Sequence, residues 1–131
     1  MGYRVVPSDR HEWTERPVGE GQRLPRSVAD VTSSASLQES RARLWRLPPG
    51  TRGVRHVEQK QEEVFVVLAG TLTLLLGDPP ERFDLPPHSV ASVEPGTAIQ
   101  QRNEGSEDVV VFAYGAPPVA GQAEYLDDVE L

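Results

Sequence analysis

The segment Gly50 to Gly70, GTRGVRHVEQKQEEVFVVLAG, constrains this chain more than any other stretch. Val54, His56 and Glu58 alternate with Arg55 and Val57, so an extended backbone turns the first three to one face. After a short polar connection, Glu63, Phe65, Val67 and Ala69 share one face, and Val64, Val66 and Leu68 share the other. Phe65 to Leu68 has no polar position, which predicts a strand covered on both sides. One histidine and two carboxylates thus stand at the edge of an apolar interior. The pattern reads as a metal site or as the remnant of one.

The rest of the chain repeats this punctuation. Strand-sized runs cover Arg43 to Leu47, Gly53 to Glu58, Glu63 to Ala69, Thr71 to Leu76, Arg82 to Leu85, Ser89 to Val93, Ile99 to Arg102 and Val109 to Tyr114. Between them lie turn signals such as Pro48-Pro49-Gly50 and Gly77-Asp78-Pro79-Pro80. Short strands at intervals of roughly ten residues indicate an all-β sandwich or barrel. A chain of 131 residues is long enough for one such core. Residues 41–115 are expected to form it, with 1–40 an arm of little regular structure and 116–131 a tail, frayed or laid over the outside. Within the arm, Tyr3 to Val6 reads as a short edge strand and Trp13 as an anchor. Ser33 to Arg43 holds the one plausible short helix, capped by Ser33 or Ser34.

Charge narrows the partners. The net charge of −7 argues against nucleic acid, which demands a basic surface. Residues 1–60 carry eleven basic and seven acidic side chains, whereas residues 61–131 carry two and thirteen. Two halves packing together with complementary fields account for this, and the many arginines suit bidentate pairing. With no cysteine, disulfides and thiolate metal sites are excluded. No apolar run is long enough to span a bilayer, and the N-terminus lacks a signal-like region, so a cytoplasmic protein without membrane partners is expected.

At these residues the chain resembles the cupin superfamily. That family's first motif is glycine, five residues, His-x-His, three or four residues, glutamate, six residues, glycine. Gly50, His56, Glu63 and Gly70 match it, with Glu58 at the second histidine position. The second motif is glycine, five residues, Pro-x-Gly, two residues, histidine, three residues, asparagine. The segment His88 to Asn103 corresponds, with Gly96 and Asn103 in register. There His88 takes the place of the leading glycine, Glu94 of the proline, and Ile99 of the histidine ligand. The resemblance spans roughly residues 40 to 115. It implies a single antiparallel β-barrel, the double-stranded β-helix or jelly roll, with the N-terminal arm outside it.

The resemblance also implies that His56 and Glu63 face into the barrel and bind a divalent metal, with Glu58 an oxygen ligand in the second histidine's place. A His-Glu-Glu set suits zinc, iron or manganese in coordination type, and nickel also occurs in the reading. Ile99 cannot bind metal, so affinity should fall, and protein without stoichiometric metal is the expectation. The structural alternative is a buried histidine hydrogen-bonded to either glutamate. Phe65, Val67, Ile99 and Gln101 share the inward face and should wall a pocket, unless they pack it shut. Two carboxylates favour a neutral or weakly basic organic ligand. His11, His88 and Glu94 read as exposed, and Arg55 and Arg102 as members of surface ion pairs. No nucleophile elbow, phosphate-binding glycine loop, H-E-x-x-H or dinucleotide fingerprint occurs.

Three functional classes fit: a cupin binding a small organic molecule in its barrel, a metal-dependent enzyme of the dioxygenase, isomerase or cyclase kind, or a structural or regulatory dimer. Val64, Val66 and Leu68 leave an apolar outer face, from which a homodimer is expected.

Overall fold

A computed structural model describes residues 2–16, 25–118 and 123–130. The portions of the expected arm and tail at 17–24 and 119–122, together with residue 131, lie outside the described residues. Eleven strands are described: β1 (Trp13–Arg16), β2 (Arg26–Asp30), β3 (Arg41–Leu47), β4 (His56–Glu58), β5 (Glu62–Ala69), β6 (Leu72–Leu76), β7 (Glu81–Leu85), β8 (Val90–Val93), β9 (Ala98–Arg102), β10 (Val109–Ala116) and β11 (Ala123–Tyr125). They form a six-stranded sheet ordered β1-β2-β3-β10-β5-β8 and a five-stranded sheet ordered β11-β4-β9-β6-β7. Every pairing is antiparallel. Among the described residues no helix is long and apolar enough to cross a membrane.

The N-terminal arm is more regular than its composition suggested. β1 and β2 extend the larger sheet beyond β3. Tyr3 to Val6 is not a strand, and the helix is a single turn, α1 (Val31–Ser34). Asp30, rather than a serine, accepts the capping bond from the Ser33 backbone N–H. Ser36, at φ 53°, ends the turn. Arg41 to Leu47 cannot be helical because its alternating residues pair on both sides, with β2 and β10.

Antiparallel register builds the interior in rows. Across β3, β10 and β5 the inward positions align as Arg41–Gly115–Glu63, Arg43–Ala113–Phe65 and Trp45–Val111–Val67, followed by Leu47–Val109. The last two rows are apolar and, with Val28, Leu72, Leu74, Val93 and Ile99, form the buried core. The first two carry charge beside small residues. The barrel is therefore plugged at one end and open at the other.

The outer face of the smaller sheet corrects an expectation. Arg55 and Arg102 do alternate outward and do form ion pairs, with Asp78 and Glu104, but they are 6% and 3% exposed because residues 126–130 lie over them. The Leu126 N–H donates to the Arg55 carbonyl at 2.8 Å, and Arg55 donates to the Asp127 carbonyl at 3.2 Å. Arg102 donates to the Val129 carbonyl at 2.7 Å, while the Gln100 amide donates to Asp128 at 2.9 Å. Arg52 pairs with Asp128 and Glu130, so the basic and acidic halves of the chain do meet. The tail is laid over the sheet, one of its two expected arrangements.

Asn103 ties the open loops to the core. Only 1% exposed, it donates to the carbonyls of Leu47 at 2.8 Å and Glu107 at 2.7 Å, and accepts from the Gly105 N–H at 3.0 Å. Its backbone also bonds the loop carrying Gly50 and Thr51. Asn103→Ala would orphan two carbonyls in the interior, and we expect a loss of about 2–4 kcal/mol in urea unfolding. Asn103→Asp should cost at least as much, because a carboxylate cannot donate to either carbonyl.

Candidate functional site

The open end encloses a cavity of about 670 Å³ lined by residues of both sheets. His56 stands on β4 opposite Ile99 of β9, and Glu58 follows on the same face. Glu63 reaches in from β5 across the barrel. Ligand atoms of His56, Glu58 and Glu63 lie within 4.8 Å of one another, and His56 Nε2 is 3.8 Å from Glu58 Oε1. His56 Nδ1 is 2.8 Å from the Val54 carbonyl. A carbonyl only accepts, so Nδ1 carries the proton and, in the neutral ring, the Nε2 lone pair points toward the carboxylates.

Burial raises the Glu63 carboxyl from 4.5 to about 7; the negative charge of Glu58 adds to the rise, and Arg41 and Arg43 partly oppose it. Two carboxylates have thus been brought together in a partly dry site, where the charge of Glu58 disfavours ionisation of Glu63. A divalent cation would relieve that repulsion. With an aimed imidazole nitrogen and two carboxylates in reach, the donor set fits the metal that the cupin resemblance implies.

The pocket walls differ from expectation in depth. Phe65 and Gln101 line the cavity, but Val67 and Ile99 do not: they belong to the apolar plug below it, 0% and 1% exposed. Sequence alternation placed them on the inward face and could not say at which level the plug ends. Ile99 fills core volume directly beside His56.

The larger omission is a ring of arginines. Arg16, Arg26, Arg41 and Arg43 line the cavity with Trp45, Gln61 and Tyr125. The guanidinium of Arg26 lies 4.1 Å from the centre of the Trp45 ring, and that of Arg43 lies 5.9 Å from it. Burial and the neighbouring charges of Arg41 and Arg16 pull Arg43 below its usual range, against opposing pulls from Asp30 and Glu58. Four arginines thus share this lining with the two carboxylates from which the neutral or weakly basic ligand was expected. The signal was readable: in RARLWRL, once Trp45 and Leu47 point inward, Arg41 and Arg43 must do the same.

A two-sheet antiparallel barrel with a His-Glu-Glu group at its open end is a cupin architecture. Residues 43–114, more than half of the chain, match the cupin domain family, and the chain belongs to it. No curated protein matches the sequence. Solved structures share the fold. A sugar phosphate isomerase of the cupin superfamily from Silicibacter pomeroyi superposes with a TM-score of 0.80 at 23% identity, over 95% of this chain and 82% of that one. A predicted oxalate decarboxylase from Thermotoga maritima gives 0.76 at 18% identity, over 86% and 98%. KdgF from a Halomonas species gives 0.69 at 18%, over 87% and 94%.

The raised Glu63 carboxyl sets a pH dependence in metal-free protein. The folded state keeps a proton that the unfolded chain releases above about 4.5, so the stabilisation is full below that pH and is lost as pH rises through about 7. In the presence of a chelator, unfolding free energy should fall between pH 5 and pH 8 by on the order of 1–3 kcal/mol. Glu63→Gln should flatten this decline. An equally steep decline in the variant would remove Glu63 as its source.

Proposed function

We propose that this chain is a metal-dependent cupin that binds and transforms a small oxygenated organic molecule at the barrel mouth. The carrying observation is the convergence of His56, Glu58 and Glu63 within 4.8 Å on the wall of a cavity of about 670 Å³. These three side chains would hold the cation through Nε2 and the carboxylate oxygens. When bound, a divalent metal supplies Lewis-acid polarisation of a ligand oxygen. His56 is oriented for this by its bond to the Val54 carbonyl. Phe65 and Trp45 supply apolar wall, and the plug below excludes water from beneath. Fold relatives described as a sugar phosphate isomerase and an oxalate decarboxylase lend the reading support in kind, since both names denote small oxygenated substrates.

Ile99 favours a second reading, a metal-free binder of a small molecule, because an aliphatic side chain stands where an imidazole would complete the site. Glu63, raised to about 7, lets the carboxylate pair hold one proton in place of a cation. The two readings part on one measurement. Protein purified without chelator and titrated with manganese or zinc should bind about one equivalent per chain. His56→Ala should weaken that binding on the order of 100-fold. Wild-type protein that takes up no metal, or a His56 variant that binds as tightly, would leave the second reading in place.

We propose in addition that the outer face of the larger sheet pairs two copies of the chain. Val64, Val66 and Phe112 are partly buried there, while Leu68 is 46%, Tyr114 39% and Val90 65% exposed. The strands of the arm extend this sheet sideways rather than cover it. Light scattering should give the mass of a dimer at micromolar concentration, and Phe112→Asp should give a monomer. A monomeric wild type would end this reading.

A further inference from the structure

Two of the three side chains at the mouth, His56 and Glu58, stand on β4, a strand of three residues. β9 pairs with two of these residues, His56 and Val57. Along its other edge β4 is covered by β11, in the register Tyr125–His56, Glu124–Val57 and Ala123–Glu58. From there the chain continues as residues 126–130 over the outer face of the same sheet. The end of the chain therefore reaches both the edge and the back of the strand that carries His56.

Its contacts bracket the one carbonyl that orients the imidazole. His56 Nδ1 donates to the Val54 carbonyl at 2.8 Å. On one side, the Gly53 carbonyl accepts from the Gln100 amide at 2.9 Å. On the other, the Arg55 carbonyl accepts from the Leu126 N–H at 2.8 Å. Gln100 is 0% exposed and held at both ends of its amide. The same nitrogen donates to Asp128 Oδ1 at 2.9 Å, and Oε1 accepts from Arg102 Nε at 2.9 Å. Arg102 donates in turn to the Val129 carbonyl at 2.7 Å, and Arg52 pairs with Asp128 at 3.4 Å. Residues 53–55 lie outside any strand, so individual bonds such as these, rather than a continuous ladder, fix their carbonyls.

We propose that residues 126–129 are a positioning strap for His56. Asp128, acting through Gln100, and the Leu126 N–H hold the peptide units on either side of Val54, and so keep Nε2 aimed at Glu58 and Glu63. The proposal rests on His56 being a metal ligand, as read above, and adds what sets its orientation. Nε2 keeps its lone pair for a cation while Nδ1 has the Val54 carbonyl to donate to. Asp128→Ala would leave a buried amide short of one acceptor and free the stretch that leads into His56.

The tautomer of His56 in metal-free protein reads this directly, by long-range 1H–15N spectra at about pH 8, where the ring is neutral. Wild-type protein should show the Nδ1–H form. Asp128→Ala, and a chain ending at residue 125, should each shift His56 toward a mixture of tautomers and weaken manganese binding about tenfold, with far-UV circular dichroism unchanged. Asp128→Asn keeps an oxygen that accepts from Gln100, and should retain the tautomer and most of the affinity. Should the shortened chain fail to fold, the two Asp128 variants decide alone. A tautomer shift in protein that takes up no metal would sink the metal-dependent reading and leave the strap standing. A wild type in the Nε2–H form, or an Asp128→Ala variant with the wild-type tautomer, would overturn the strap, whatever happened to the affinity. Equal losses in Asp128→Asn and Asp128→Ala would overturn the link through Gln100.

Discussion

Trp45 stacked in register on Val111, and Val111 on Val67, closes the barrel at mid-height, and the mouth exists because of that closure. Below it, large apolar side chains from both sheets fill the space. Above it, Ala113 and Gly115 replace bulk on the same face, and the Gln61 side chain packs into the space at Gly115. A side chain at position 115 would collide with Gln61, whose Cδ lies 2.5 Å from where its Cβ would sit.

The charges at the mouth follow from the same rows. Position 63 faces Arg41 across Gly115, and the charges of Arg41 and Arg43 partly oppose the rise of the Glu63 carboxyl. Burial and the repulsion of Glu58 then hold Glu63 partly protonated at neutral pH. Arg43 is disfavoured in turn by burial and by its cationic neighbours.

The two outer faces are treated differently. On the smaller sheet, Arg55, Gln100 and Arg102 would be costly if buried unpaired. Residues 126–130 supply part of what they need through backbone carbonyls and Asp128, and Asp78 and Glu104 pair with the two arginines. On the larger sheet the outward residues Val64, Val66, Leu68, Phe112 and Tyr114 form an apolar face.

Much of the fold was legible from local chemistry. Alternation, turn residues and glycine spacing located eight of the strands and the inward face of Glu63, because a strand's period of two is a property of consecutive residues. The same period brought His56, Glu58 and Glu63 to one interior. What it could not supply was depth or cover. Ile99 and Val67 proved to be plug rather than wall, since the level at which a barrel closes depends on residues from other strands. Arg102 and Arg55 proved buried, since their cover comes from a segment far along the chain. Periodicity in the sequence determined which way each side chain points; only the stacking of strands and tail decided what it meets there, because contact between distant segments is set by register and packing, not by neighbours in the chain.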